Sequence, residues 1–360
     1  MTDELSLQCL WGKWGQPDDP SFHPLVCHMI DVGVVAEALL ARVLPSSTRH
    51  LLQCGLGVTP QALSSQIAWL ASIHDLGKAS PAFQGLVENV WVPSLLQRAG
   101  LVAYDMTERP PHGRISGKSV RDILCRDWGF DRETAITVAA AVGGHHGLFP
   151  SASEVKSISE LHDGGPSWDT IRGAITQAMA TVFGVSADEK PTQCDSTTAV
   201  ILAGLVAVAD WIGSNTEFFR YAVAHADRPE PVDLAVYRDH AARQAVTALS
   251  GLGWNQLPHE ALPLDFQHVF GFAPNALQEA ALHVADVLPG PGLVIVEAPM
   301  GEGKTEAAQA LADAVLHRHH LRGMFFAMPT QATSNQIFSR TSAFLAKRYP
   351  GDAVQLLLQH

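Results

Sequence analysis

The stretch IHDLGK, residues 73–78, decides the reading of this chain. It closes a segment, residues 63–73, in which apolar residues recur at spacings of three and four, the period of an amphipathic helix. It then sets an imidazole, His74, directly beside a short carboxylate, Asp75. Neighbours on a regular helix point about 100° apart, so one metal centre can use both only if the helix ends around them. Gly77 is the residue expected to end it. Asp75 is then able to bridge two cations about 3.5 to 4 Å apart, an arrangement that clamps a phosphodiester and activates water. Lys78, one turn beyond His74, is placed to reach a non-bridging phosphate oxygen.

Four further stretches carry the same kinds of donor: HPLVCHMIDV (23–32) holds His28, PPHGR (110–114) holds His112, GGHHG (143–147) holds His145 and His146, and VAVADWIGSN (206–215) holds Asp210. Imidazole nitrogen and carboxylate oxygen together suit Fe, Mn, Co, Ni or Zn at a hydrolytic centre, whereas Mg favours oxygen donors. Asp210 ends an otherwise apolar helical run, where a lone carboxylate is costly to bury without a cation or hydrogen-bond donors. Singly, each residue has a plain structural alternative: a packed core histidine for His28, a helix end for Asp210, chance dipeptides for His-Asp and His-His. His112, in a loop rich in Pro and Gly, is the least secured member.

Composition narrows the class. At 360 residues the chain is long enough for about two domains, and 47% hydrophobic against 17% charged residues excludes a disordered chain. Twenty-four basic against 36 acidic residues, a formal charge of -12, argue against broad electrostatic coating of DNA or an anionic membrane. The five cysteines form no C-x-x-C, which disfavours a disulfide framework or a thiolate zinc site. The start lacks a secretory signal, and the longest apolar run, residues 199–209, falls short of the roughly 20 residues a span needs. A cytoplasmic protein without membrane contact is therefore expected.

Helical periodicity runs from about residue 24 to 225, and the Pro- and Gly-rich text around 251–266 reads as an interdomain linker. The expected boundaries are an all-α domain over 1–255, a linker over 256–265 and a second domain over 266–360. In that second domain LVIVEA (293–298), a Gly-rich turn, a helix from Lys304, GMFFAMP (323–329) and a further helix give β-α-β-α order, the sign of a parallel sheet.

Taken in order, the histidine and aspartate stretches resemble the signature of the HD phosphohydrolase superfamily. Within it they are most similar to the HD nuclease domain of the CRISPR-associated helicase-nuclease of type I interference systems. The resemblance implies one divalent transition-metal ion on His28, His74, Asp75 and Asp210, a second on Asp75, His112, His145 and His146, and catalytic roles for Asp75 and Lys78. Ser214 and Asn215 resemble the family's substrate-contacting turn. The implied reaction is endo- or exonucleolytic hydrolysis of single-stranded DNA, with the RNA-guided effector complex (Cascade) as partner. Two other readings stay open: an HD phosphohydrolase acting on nucleotides or cyclic dinucleotides, although the G-Y-P signature of the latter is absent, and a catalytically silent recruitment module. The eight tryptophans read as packing residues, with Trp211 beside Asp210 the one worth testing as a base-stacking platform.

EAPMGEGKTEAA (297–308) has the context of a phosphate loop: Gly301 and Gly303 expose backbone N–H groups, Lys304 reaches phosphate oxygens and Thr305 holds Mg²⁺. Ala298 stands where the general pattern has its first Gly, a departure common in superfamily 2 helicases. Phe272 and Gln278 resemble the adenine-recognising element of those helicases, and Thr330 and Gln331 in MPTQATSNQ resemble their next motif. The sequence stops at His360 near a third strand candidate, AVQLLLQ (353–359), before any D-E-x-H motif. The expectation is an incomplete RecA-like α/β segment, cut before Walker B, that binds ATP weakly without turning it over.

Overall fold

The computed structural model describes residues 4–15, 19–87, 89–103, 106, 108–254, 263–319, 321, 323–350 and 356. It divides into two units, Met1–Leu252 and Gly253–His360.

In the first unit a short antiparallel hairpin, β1 (Trp11–Trp14) with β2 (Phe22–Pro24), leads into α1 (Leu25–Arg42). Apolar residues surround α1 nearly all the way round, so it runs through the interior with His28 and Asp31 fully buried on it. Against it pack α2 (Leu63–Ser72), α6 (Ser196–Gly213) and α7 (Leu234–Gly251). Between α2 and α6 lie α3 (His112–Asp127), α4 (Arg132–Gly143) and α5 (Gly165–Phe183). Helix starts follow side-chain chemistry: the carboxylates of Asp131, Asp195 and Asp233 accept backbone N–H groups at the first turns of α4, α6 and α7, each cap worth about 1 kcal/mol. By length and composition α6 is apolar enough to cross a membrane. It is instead a core helix, packed on α1 and carrying the buried Asp210.

The second unit contains α8 (Ala276–Val287), α9 (Lys304–Arg318) and α10 (Gln331–Arg348). The two strands expected before α9 and α10 are not formed: residues 293–298 and 323–328 have no regular secondary structure. A parallel strand exists through its ladder, and neither segment has a pairing partner among the described residues. Alternate apolar side chains are accordingly left exposed, Leu293 at 86%, Ile295 at 75% and Phe325 at 91%, while Val294, Val296, Met324 and Phe326 are half-buried. Most of 256–265 and all of 353–359 except Leu356 lie outside the described residues.

Candidate metal centre and phosphate loop

Helix α2 stops at Ser72 and gives way to a tight 3₁₀ turn, Ile73–Lys78, in which Asp75 leaves helical geometry (φ -98°, ψ 16°). That break turns His74 and Asp75 toward one point, as their adjacency requires. Gly77 serves it differently from expected. The helix has ended before Gly77, and its missing side chain instead lets α3 approach: a Cβ there would lie 2.1 Å from His112 O and 2.4 Å from Ser116 N. The Gly77 N–H donates to Ser116 Oγ at 2.8 Å.

His112 is not in a loop. It opens α3 directly after Pro111, whose fixed φ (-53°) suits the entry to a helix. Gly113 on α3 and Gly143 on α4 meet backbone to backbone, since a Cβ on either would sit 2.6 or 2.8 Å from the other's carbonyl oxygen. This close crossing brings His112 to His145 and His146, which follow the end of α4.

Two groups of donor atoms result, each with its members within 4.8 Å of one another: His28, His74, Asp75 and Asp210, and His112, His145 and His146. Asp75 stands between them. Its Oδ2 lies 3.1 Å from His28 Nε2 and 3.3 Å from His74 Nε2, while its Oδ1 lies 3.1 Å from His112 Nε2 and 3.6 Å from His145 Nε2. Asp210 Oδ1 closes the first group at 3.3 Å from His28 Nε2 and 3.6 Å from His74 Nε2. His146 Nε2 is 3.1 Å from His112 Nε2 in the second.

The donors fit cations. His74 Nδ1–H donates to Ala71 O at 2.8 Å and His145 Nδ1–H to Val142 O at 2.7 Å, which turns each Nε2 inward as the atom available to a cation. Among the described residues, His74 Nε2, His145 Nε2 and Asp75 Oδ1 are buried with no hydrogen-bond partner. Such atoms are costly to bury unless something positive meets them.

The electrostatics agree. Burial, followed by the charge of His74, pushes His145 down to about 3, keeping its lone pair free. Burial also lowers His28, against the pull of Asp210 and Asp75. Burial opposes the charged form of His74 too, but Asp75 and Asp210 outweigh it and raise His74 to about 9. Both carboxyls titrate well below the usual range despite burial: Asp75 through His74, Lys78 and His112, Asp210 through His28 and His74.

Other expected site residues take these places. Lys78 Nζ pairs with Asp75 Oδ2 at 2.7 Å and donates to Gly12 O at 3.3 Å. Ser214 Oγ donates to Asp210 Oδ1 at 2.8 Å, and Asn215 Oδ1 accepts the Glu217 N–H in its own turn. Trp211 is 70% exposed beside Asp210. In the second unit Gly301 and Gly303 adopt left-handed φ (89° and 76°), and Gln278 Nε2 donates to Gly303 O at 3.4 Å. Lys304 Nζ donates to Ala298 O and Pro299 O, and Thr305 Oγ1 accepts from Arg340 Nη1 at 3.1 Å. Phe272, Gln278, Gly301, Gly303, Lys304 and Thr305 line one pocket.

Sequence reasoning missed several supports. Gln84, fully buried, accepts Trp11 N–H and donates to Trp11 O and Lys78 O, tying β1 to the metal turn. Buried Arg172 donates to Ala79 O at 2.8 Å. His23 donates from Nε2 to Asp31 Oδ2 at 2.7 Å and accepts the Ala222 N–H. The only signal for Gln84 was its place in the run following IHDLGK; Arg172 had none.

Residues 11–219 match the family model described as Cas3, HD domain. The CRISPR-associated endonuclease/helicase Cas3 of Thermus thermophilus is 35% identical over all of this chain, which spans 38% of that relative's length. A crystal structure of a CRISPR-associated protein superposes with a TM-score of 0.80 at 39% identity, covering 97% of this chain and 38% of that one. The HD domain of T. thermophilus Cas3, solved in the presence of Ni²⁺, superposes at 0.52 with 28% identity, covering 69% of this chain and 92% of that domain. With the matched residues spanning every donor of both groups, the chain belongs to the Cas3 HD-domain family.

Proposed function

We propose that this chain hydrolyses phosphodiester bonds of single-stranded DNA, endo- or exonucleolytically, at the His and Asp centre, and does so within type I CRISPR interference alongside an RNA-guided effector complex (Cascade). The observation that carries this reading is the single buried carboxylate of Asp75 with one oxygen toward each donor group. A pair of divalent ions bound there supplies charge to the phosphoryl group and lowers the pKa of water. His28, His74, Asp75 and Asp210 would hold one ion, and Asp75, His112, His145 and His146 the other. Five imidazoles against two carboxylates favour Mn, Fe, Co, Ni or Zn over Mg.

The chain's own residues prepare the centre. Ala71 O and Val142 O fix the tautomers of His74 and His145. Ser214 orients Asp210, and Lys78 holds Asp75. His28, His74 and Asp75 are closed to solvent, while the His112 side chain is 19% exposed and His146 is exposed, so substrate approaches from that side. A strand threaded past a local opening between helices suits this geometry better than a rigid duplex. The test is digestion of matched single- and double-stranded oligonucleotides by metal-loaded protein. Preferential loss of the single strand, abolished by chelation, is the expected result. Separately, we propose that Gln278, Gly301, Gly303, Lys304 and Thr305 form an ATP and Mg²⁺ site that binds nucleotide without turning it over.

A further inference from the structure

The lysine expected at the phosphate is engaged elsewhere. Lys78, 9% exposed, has its ammonium on Asp75 Oδ2 and Gly12 O and over the Phe83 ring at 5.3 Å from the centroid. All three partners belong to the protein, and together they make it an internal strut. A second lysine lies beside it. Resting on the activity proposed above, we propose that Lys13, on β1, is the cation that contacts the substrate phosphate at the metal centre.

The placement of Lys13 is fixed by its strand. Gln84 grips Trp11 through Oε1 (3.2 Å from Trp11 N) and Nε2 (2.9 Å from Trp11 O), and Leu25 N–H donates to Leu10 O at 2.7 Å. Gly12 leaves no room beside His28: a Cβ there would lie 3.0 Å from Leu25 Cα and 3.3 Å from His28 Cβ. Lys13 follows immediately, paired in register with His23. Its side chain is half-buried, and among the described residues it makes no hydrogen bond or ion pair. It follows Gly12, which packs against His28 and whose carbonyl accepts from Lys78 Nζ, so β1 borders the centre at this position; burial lowers the Lys13 pKa, and the charges near it are the Asp210, Asp75 and Asp31 carboxylates and the Lys78 ammonium.

The chemistry then selects an anion. Once Asp75 and Asp210 ligate cations, their charge is no longer available to Lys13, and a half-desolvated ammonium faces a positive centre. A phosphodiester oxygen both relieves that repulsion and accepts a charge-assisted hydrogen bond. Lys78, held by Asp75 and Gly12, keeps the turn in shape while Lys13 meets the substrate.

The experiment compares wild type, Lys13→Met and Lys13→Arg. For each it measures metal content by mass spectrometry, cleavage kinetics on a single-stranded oligonucleotide, and binding of the labelled oligonucleotide by anisotropy across a salt series. Lys13→Met is expected to keep its metal and kcat while KM rises about tenfold, and the slope of log affinity against log salt should become shallower by about 0.7, one phosphate contact on a single strand. Lys13→Arg should restore both. Unchanged KM and slope in Lys13→Met, or a metal deficit matching the lost activity, overturns the proposal. If wild type binds the oligonucleotide without cleaving it, the activity reading fails alone, and the affinity and salt slope still decide Lys13. If wild type neither binds nor cleaves, both fall.

Discussion

Asp75 is the residue on which the centre turns, because its two oxygens serve two sets of imidazoles. Asp75→Asn keeps the shape and removes the shared anion. Cleavage should fall by at least about a thousandfold, with metal content dropping below one ion per chain while circular dichroism keeps its helical signature. Full metal content and unchanged cleavage in this variant would show that the bridging role is wrong. His74 sets the pH dependence. In the metal-free centre its pKa is raised to about 9, so at neutral pH it carries a proton that a cation must expel. Affinity for Mn²⁺ or Co²⁺ should therefore rise with pH, up to about tenfold per unit from this one proton, and level off above about 9. Calorimetric titrations from pH 6.5 to 9.5 in buffers of different ionisation enthalpy read both the affinity and the proton released. The seven His and Asp residues that the structure gathers were legible in sequence because each sits in a short, distinctive string. Gln84 and Arg172 were not, since their contacts to Trp11 and Ala79 span 73 and 93 positions, and the placement of Lys13 depends on the closing of the N-terminal hairpin onto α1.

At the scale of elements, the centre exists because helices approach more closely than side chains normally permit. Gly143→Ala adds a Cβ 2.8 Å from Gly113 O, which must push α3 from α4 and His112 from His145. The variant should stay helical, lose a few degrees of melting temperature and bind one ion instead of two, which equilibrium dialysis with Co²⁺ measures directly. Retention of two ions would show that the glycine contact does not set the spacing. Apolar periodicity announced α1, α2, α4 and α6, and the adjacency of His74 and Asp75 called for α2 to end around them, with Gly77 as the expected stop. The break comes at Ser72 instead and answers to the packing of α3 on the turn, a tertiary demand that local sequence does not state. The same limit explains the strands misread as formed. LVIVEA and GMFFAMP have the composition of buried parallel strands, but composition supplies no partner, and a strand without a ladder is not made.

For the molecule as a whole, a net charge of -12 leaves substrate binding to local positive charge, which the proposals above assign to bound metal ions and Lys13. Binding of single strands should accordingly weaken on chelation far more than a basic DNA-coating protein's would, and anisotropy with and without EDTA measures this. In the second unit Lys304→Ala should abolish whatever fluorescent nucleotide the chain binds, and phosphate release should stay at background in wild type, with or without single-stranded DNA. DNA-stimulated release that Lys304→Ala removes would reveal a working motor in this segment. The central claim is that two bound transition-metal ions bridged by Asp75 make a nuclease. Its most direct test is a stoichiometric titration of metal-stripped protein with Mn²⁺ or Co²⁺ while cleavage of a single-stranded oligonucleotide is followed. The account predicts negligible cleavage up to one equivalent, a rise to full rate as the second binds, and little rescue by Mg²⁺. Full cleavage in Mg²⁺ with transition metals chelated, or at a single equivalent, would contradict it.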